Sequence, residues 1–289
     1  MSIPSMTDNE EMLDDVLSVI VLYKCDLKNS VSFNSILKAA EESKGTLKLL
    51  LYNNSPEINI DTSAYEQKKI NVSLINDNTN SGVSKAYNLA HSITNEEGKK
   101  WLLLLDQDTQ LPSDFFSVFF EHRKKDVEKR ELLYIPIIKS NNRIISPAHS
   151  FLYRGFTKKK VETGSTDIKN LAIINSGVIV KNHLFENAGG FNKDVQLDFS
   201  DFSFFRRVKK IYSKVFILNV ECSHSFAGLE YGNYEKVLNR FKIYNRNAVA
   251  FSREKGVSKI FVFIPVLGRA FKLSIKFRTL IFLRSFRLK

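Results

Sequence analysis

Four short apolar runs constrain this chain most: residues 16–23, 47–52, 70–76 and 101–105 are separated by stretches of helical spacing. Runs this short, rich in Val, Ile and Leu, suit strands buried on both faces of a sheet. Helix-compatible segments at about 29–43 and 83–93 lie between them, and the turn signal Asn53-Asn54-Ser55-Pro56 closes the second run. The alternation predicts an α/β domain with a doubly wound, mostly parallel sheet. Such sheets bind ligands beyond the carboxyl ends of their strands, where Tyr23, Asn53 and Asp106 fall.

Past residue 130 the pattern is more broken. Further strands are predicted at 131–138, 143–148, 171–180 and 214–220, interrupted by the basic patch Lys158-Lys159-Lys160 and a turn at 163–166. A helix is expected to begin near Phe199 and a longer one to cover about 233–255. The 289 residues then divide into a polar extension (1–15), a main domain (16–256) with halves meeting near 128, and a distinct tail (257–289). Two cysteines, Cys25 and Cys222, are too few for a disulfide framework. The acidic start, with Asp8, Glu10, Glu11, Asp14 and Asp15, is unlike a secretory leader, so a cytoplasmic protein is expected.

Charge is unevenly placed. Residues 1–120 carry 10 basic and 17 acidic side chains, so the net charge of +12 comes from the remainder. That remainder should be drawn to a polyanion. The tail holds eight Lys/Arg and no acid among Phe, Ile, Leu and Val, with Arg269, Lys272 and Lys276 at helical spacing. Its longest uncharged stretch, 260–268, is far short of the ~20 residues that span a bilayer. It therefore reads as an amphipathic helix lying on an anionic membrane surface.

The sharpest chemical feature is Asp106-Gln107-Asp108, which follows four leucines and precedes Leu111-Pro112. A buried strand here delivers two carboxylates, one residue apart, to the ligand-binding edge of the sheet. Hard divalent cations such as Mg²⁺ and Mn²⁺ take one or two carboxylates and complete their shell with substrate phosphates and water.

Leu103-Leu104-Leu105-Asp106-Gln107-Asp108 resembles the metal-binding segment of family 2 glycosyltransferases, in particular their bacterial rhamnosyltransferase-like branch. Asn80-x-Gly82-x-x-x-Ala86-x-Asn88 resembles the family's preceding segment. Asn175-Ser176-Gly177 with Ala188-Gly189-Gly190-Phe191, and then Asp198-Phe199-Ser200-Asp201 with Arg206, resemble later ones. His224 and Tyr244-x-Arg246-Asn247 follow in the family's order, so the likeness covers roughly 16–250. It implies a GT-A fold, with a nucleotide-sugar-binding half at 16–128 and an acceptor-binding, catalytic half at 129–256.

The resemblance further implies an inverting, metal-dependent transfer of a sugar from a nucleotide donor. Asp201 is then the catalytic base, and Asp108 and His224 hold a divalent metal (Mn²⁺ or Mg²⁺). Tyr23, Asn53, Asn80, Gly82, Lys85, Asp106 and Arg246 are expected around the donor. Asp198, Ser176, Gly177 and Arg206 are expected in acceptor or auxiliary roles. The expected donor is dTDP-rhamnose and the acceptor a polyprenyl-diphosphate-linked glycan of a bacterial surface polysaccharide (O antigen, lipopolysaccharide or capsule). The enzyme would sit peripherally on the cytoplasmic face of the inner membrane. Where the family's second strand commonly ends in an Asp that reads the nucleotide base, this chain has Tyr52, which leaves UDP-linked galactose, glucose or N-acetylhexosamine as alternatives. A nucleic-acid-binding protein is the contrasting reading of the basic half. No nucleic-acid motif supports it, and the cations concentrate in an apolar tail. A silent membrane scaffold is the other alternative, and the presence of Asp106, Asp108 and Asp201 argues against it.

Overall fold

The computed structural model of the protein describes residues 11–65, 69–126, 128, 130–225 and 233–286. The first ten residues of the expected extension and the last three of the tail lie outside these. The first half follows the reading closely: β1 (Val16–Leu22), α1 (Val31–Glu41), β2 (Leu47–Asn53), β3 (Ile70–Asn76), α2 (Val83–Glu96) and β4 (Trp101–Asp106). The strands pair in the order β3-β2-β1-β4, all parallel.

The second half extends this sheet with β5 (Thr109–Gln110), β6 (Leu133–Ser140), β7 (Arg143–Phe151), β8 (Arg154–Lys158), β9 (Gly164–Asp167), β10 (Leu171–Ala172), β11 (Val178–Lys181) and β12 (Lys214–His224). Between β5 and β6 runs α3 (Phe115–Lys125), and α4 (Asn182–Asn187) and α5 (Ser200–Ile211) precede β12. The order is β10-β7-β6-β11-β4-β1-β2-β3, with β12 lying parallel to β6 and antiparallel to β5 and β9. Two expectations need correction. The segment 163–166 is mostly strand β9, because its backbone pairs with Lys214–Ile217 of β12. The run 171–180 is two strands, because Asn175-Ser176-Gly177 turns the chain from one sheet edge to the seat beside β4.

Period-two alternation along β1 sends its side chains to two cores. Leu17, Val19 and Val21 pack with Ala86 and Tyr87 of α2, Phe185 of α4 and Phe204 of α5. Val16, Ile20 and Leu22 pack with Phe33 and Ile36 of α1 and Phe115, Phe116 and Phe119 of α3. Helices thus cover both faces, as a doubly wound sheet requires. Helix α3 was not anticipated, although Phe115, Phe116 and Phe119 carry the i, i+1, i+4 spacing of one helix face.

Residues 11–15 belong to the fold. Leu13 is fully buried, and the Glu11 carboxylate accepts from Trp101 Nε1 (3.1 Å) and Arg123 Nε (2.9 Å). Arg123 also donates to Asp126 (2.7 Å) and Tyr134 (3.2 Å), and lies over the Trp101 ring.

A third core joins α6 (Tyr234–Ser252), α7 (Lys259–Lys276) and α8 (Ile281–Arg284) to Val195 and Phe199. Helix α7 has two apolar stripes. Val262, Phe263, Val266, Ala270 and Leu273 face this core, while Ile260, Ile264, Leu267, Phe271 and Ile275 are exposed, Ile260 by 71% and Ile275 by 63%. The tail is therefore packed on the domain along one side and presents an apolar side outward. Among the described residues no helix is long and apolar enough to cross a membrane.

Candidate active site

Strand β4 ends at Asp106, and the turn that follows is fixed from several directions. Ser32 Oγ, in the first turn of α1, bridges the Asp106 and Thr109 carbonyls (2.7 Å to Thr109) and accepts the Thr109 N–H (2.9 Å). Gln107 turns aside and accepts the Tyr23 N–H through its side chain (2.7 Å). The Asp106 N–H donates to Ser176 Oγ (3.0 Å), which in turn donates to Thr109 Oγ1 (2.7 Å). Thr109 Oγ1 bonds His224 Nδ1 (2.8 Å), and the same nitrogen lies 3.6 Å from the Asp108 carboxylate. The last residue of β12 is thereby brought to the first carboxylates after β4.

A third carboxylate arrives from α5. Phe199, just before that helix, has φ = +65°, a left-handed conformation that costs a bulky residue about 1–3 kcal/mol. Its ring is held by stacking on Phe251 and contact with Tyr244. The turn places Asp201 in the first helical turn, where the Asn175 backbone favours its ionised form. Burial, then the charge of Asp106, pushes the Asp201 carboxyl well above the ordinary range. Asp106 is raised by burial and by Asp108, and Asp108 by burial, with His224 opposing both. Each of the three residues keeps some exposed surface; the carboxyl groups of Asp106 and Asp201 are set deeper among protein groups than that of Asp108, whose side chain is 29% exposed. Tyr87 of α2 donates to Asp106 Oδ1 (3.1 Å), and burial with the nearby carboxylates holds its hydroxyl protonated. The result is a recessed acidic cluster beside one imidazole.

No family model matches the chain. It is similar to the dTDP-rhamnosyl transferase RfbF of Shigella flexneri, at 23% identity over 191 residues, spanning 66% of this chain and 62% of that relative. The match thus covers less than two thirds of the relative's length. The crystal structure of S. aureus TarS 1–349 superposes with a TM-score of 0.52 at 14% identity, covering 89% of this chain and 72% of the other. The same S. aureus protein in complex with UDP-GlcNAc superposes with a TM-score of 0.54 at 11% identity, over 89% of this chain and 72% of that one. This chain has the GT-A glycosyltransferase fold. The likeness to family 2 enzymes read from the motifs is borne out at the level of that fold.

Within the GT-A fold several motif residues prove to be framework. Asn53 is fully buried: its Nδ2 donates to Ile58 O (3.1 Å) and Asn76 Oδ1 (2.9 Å), and its Oδ1 accepts from Ser55 N–H (2.9 Å). It shapes the turn after β2 and has no surface for a donor. Ser176 is likewise fully buried and acts as the peg beneath Asp106, not as an acceptor contact. Gly177 has φ = +81°, and a Cβ there would lie 2.7 Å from Pro136 Cγ. Arg206 is a clamp: with Arg207 and Ser203 it converges on Glu254 at the end of α6. Asp198 is gripped by two nitrogens of Arg240, which leaves it a positioning role next to Asp201.

The segment from Asn80 to Asn88 holds the halves together. Gly82 caps α2 with φ = +85°, and a Cβ there would meet Gln196 O at 2.3 Å. That same carbonyl accepts the Val83 N–H (2.9 Å). Asn88 bonds both the N–H (2.7 Å) and the carbonyl (2.8 Å) of Phe191. Lys85 is exposed and lies 3.9 Å from Asp77, and Asn80 is exposed in the loop folded around that residue. Hydrogen bonds from Ser81 and Thr79 outweigh burial and hold the Asp77 carboxyl well below the usual range. Tyr52 reaches this loop through Ser81 Oγ (3.2 Å). Tyr23 is exposed at the end of β1, whereas Arg246 lines a separate cavity that none of the site carboxylates borders. Sequence reasoning missed Tyr87, Asp77, Gln107 and Thr109; the first lies within the Asn80–Asn88 motif, and the last two flank Asp108.

The donor set fits a divalent cation of the substrate-sharing kind. Among the described residues no group of three or more His, Cys, Asp or Glu is placed to hold a metal, so Asp108 and His224 would supply at most two ligands. Burial raises the titration of both Asp106 and Asp108, and the neighbouring Asp108 adds to it at Asp106.

Proposed function

We propose that this protein is an inverting glycosyltransferase, with the convergence of Asp106, Asp108, His224 and Asp201 on one sheet edge as the observation that carries the reading. Asp108 and His224 would hold Mn²⁺ or Mg²⁺, which when bound offsets charge developing on a leaving nucleoside diphosphate. Asp106, fixed by Tyr87 and Ser176, orients the donor. Asp201 accepts the proton of the attacking acceptor hydroxyl, and its raised titration makes the ionised carboxylate a stronger base than an ordinary one. Inversion would follow from in-line attack, with the base on α5 and the diphosphate-binding group at the β4 turn, two separate segments, flanking the bound donor.

The similarity to RfbF supports dTDP-rhamnose as the donor. The UDP and UDP-GlcNAc complexes of TarS favour a UDP-sugar as the second reading. The acceptor is a lipid-linked glycan precursor of a bacterial surface polysaccharide, presented at the cytoplasmic face of the inner membrane. Its presentation is supported by the exposed stripe of α7, flanked by Lys272 and Lys276. The test is release of nucleoside diphosphate from each candidate donor, with and without acceptor membranes. Metal-dependent release that Asp108→Ala abolishes is expected; equal release by wild type and variant would refute the assignment.

A further inference from the structure

A cavity of about 870 Å³ opens between α6, the 193–196 loop and α8. Five cations line it, Lys193, Lys242, Arg246, Arg253 and Arg284, against one acid, Asp194. Lys242, Arg246 and Arg253 recur at i, i+4 and i+11, one stripe along α6. All five are exposed, and among the described residues none of them makes an ion pair. Elsewhere Arg240 is paired with Asp198 and Arg206 with Glu254. Like charges gathered on a concave wall focus a positive potential and concentrate anions. Such a wall suits an anion such as phosphate.

What lies beside it narrows the ligand. Helix α8 is a ridge with two sides. Ile281 and Arg284 face the basic cavity, while Leu280 and Leu283 line an apolar groove of about 260 Å³ with Phe271 and Ile275 of α7. One short element therefore separates an anion site from a hydrocarbon site, and the groove continues the exposed apolar stripe of α7. A soluble anion would have no use for the groove, and a neutral lipid none for the cavity.

We infer that this pair of sites binds a lipid with an exposed phosphate headgroup, the phosphate among the five cations and the chain across α8 in the groove. The inference takes from the proposed function only a nearby membrane; the lipid it names carries a terminal phosphate, unlike the glycan-linked acceptor, whose diphosphate is esterified at both ends. It moves Arg246 from the donor's diphosphate to the lipid's phosphate.

The test uses full-length protein in EDTA, so that no metal-dependent anion binding at the acidic cluster contributes. Vesicles of phosphatidylcholine doped with phosphatidic acid, whose phosphate is a terminal monoester, are compared with vesicles carrying equal charge as phosphatidylglycerol, whose phosphate is masked. Sedimentation should favour phosphatidic acid, and millimolar pyrophosphate should displace the wild-type protein from it. The triple variant K242Q/R253Q/R284Q changes only exposed side chains and should bind phosphatidic acid roughly a hundredfold more weakly, about fivefold per charge. Its affinity for nucleotide sugar with Mn²⁺ should be unchanged. Equal binding of the two vesicle types, undiminished binding by the variant, or pyrophosphate binding without any vesicle binding would each overturn the lipid site. A wild-type protein that binds phosphatidic acid through these residues but no nucleotide sugar leaves the site standing and sinks the glycosyltransferase reading instead.

Discussion

Asp201 sits where folding alone would not put a carboxylate, surrounded by protein and facing the charge of Asp106. Its titration is raised in the folded state, so the folded chain holds this proton more tightly than the unfolded chain. Its contribution to stability is therefore full below the ordinary carboxylate range and is lost as pH rises through the raised value. Asp201→Asn should accordingly melt higher than wild type at neutral pH in EDTA, with the gap closing in acid. The same variant should keep donor affinity and lose at least about a hundredfold in turnover, the usual contribution of a general base. A variant that melts lower and binds donor poorly would make Asp201 structural. At this scale the sequence picked out the carboxylates and His224 that the fold brings to one sheet edge, but not that Asn53 is fully buried, Ser176 a peg beneath Asp106 and Arg206 a clamp on Glu254. Residue type and spacing say which groups reach a sheet edge; they do not say that Asn53 spends its amide on Ile58 and Asn76, or that Glu254 claims Arg206. The αL turn at Phe199 has no sequence signature, because an aromatic residue is disfavoured there.

Among the elements, the parallel half was legible because its strands are uninterrupted apolar runs with turn signals between them. The second half was less so. Strand β9 is half-exposed and polar, and it exists because β12 pairs with it, a long-range cause that no local window contains. Helix α3 depends on tertiary contacts in the same way, since Arg123 in its last turn is buried and satisfied by Glu11, Asp126 and Tyr134. Arg123→Met should leave Glu11 beside the core without its main partner and cost about 3 kcal/mol. Urea unfolding followed by Trp101 fluorescence measures this, and a loss below about 0.5 kcal/mol would mean residues 11–15 are dispensable to the domain. The β10–β11 turn offers a second check. Gly177→Ala would strain a positive φ and press on Pro136, so it should destabilise by about 1–3 kcal/mol and, by shifting Ser176, weaken donor binding as well.

For the whole molecule, the tail's composition announced an amphipathic helix but not its second apolar stripe. That stripe changes which experiment is informative. Cutting the chain after Gly256 would strip Val237, Leu238, Phe241 and Val249 of their cover, so the truncated protein should aggregate or lose its cooperative transition. Ile264→Asp with Phe271→Asp alters only the outward stripe. This double variant should fold and bind nucleotide as wild type does, yet sediment far less with anionic vesicles; unchanged sedimentation would make the stripe a contact for something other than lipid. The central claim, that the acidic cluster is a nucleotide-sugar site, is tested most directly by the melting temperature of the full-length protein with dTDP-, UDP- and GDP-sugars, each with Mn²⁺ or EDTA. A ligand that binds only the folded state raises the transition in proportion to RT ln(1 + [L]/Kd). At least one of these donors should raise it with Mn²⁺, not in EDTA and not in Asp108→Ala; no shift with any donor in either condition would contradict the account.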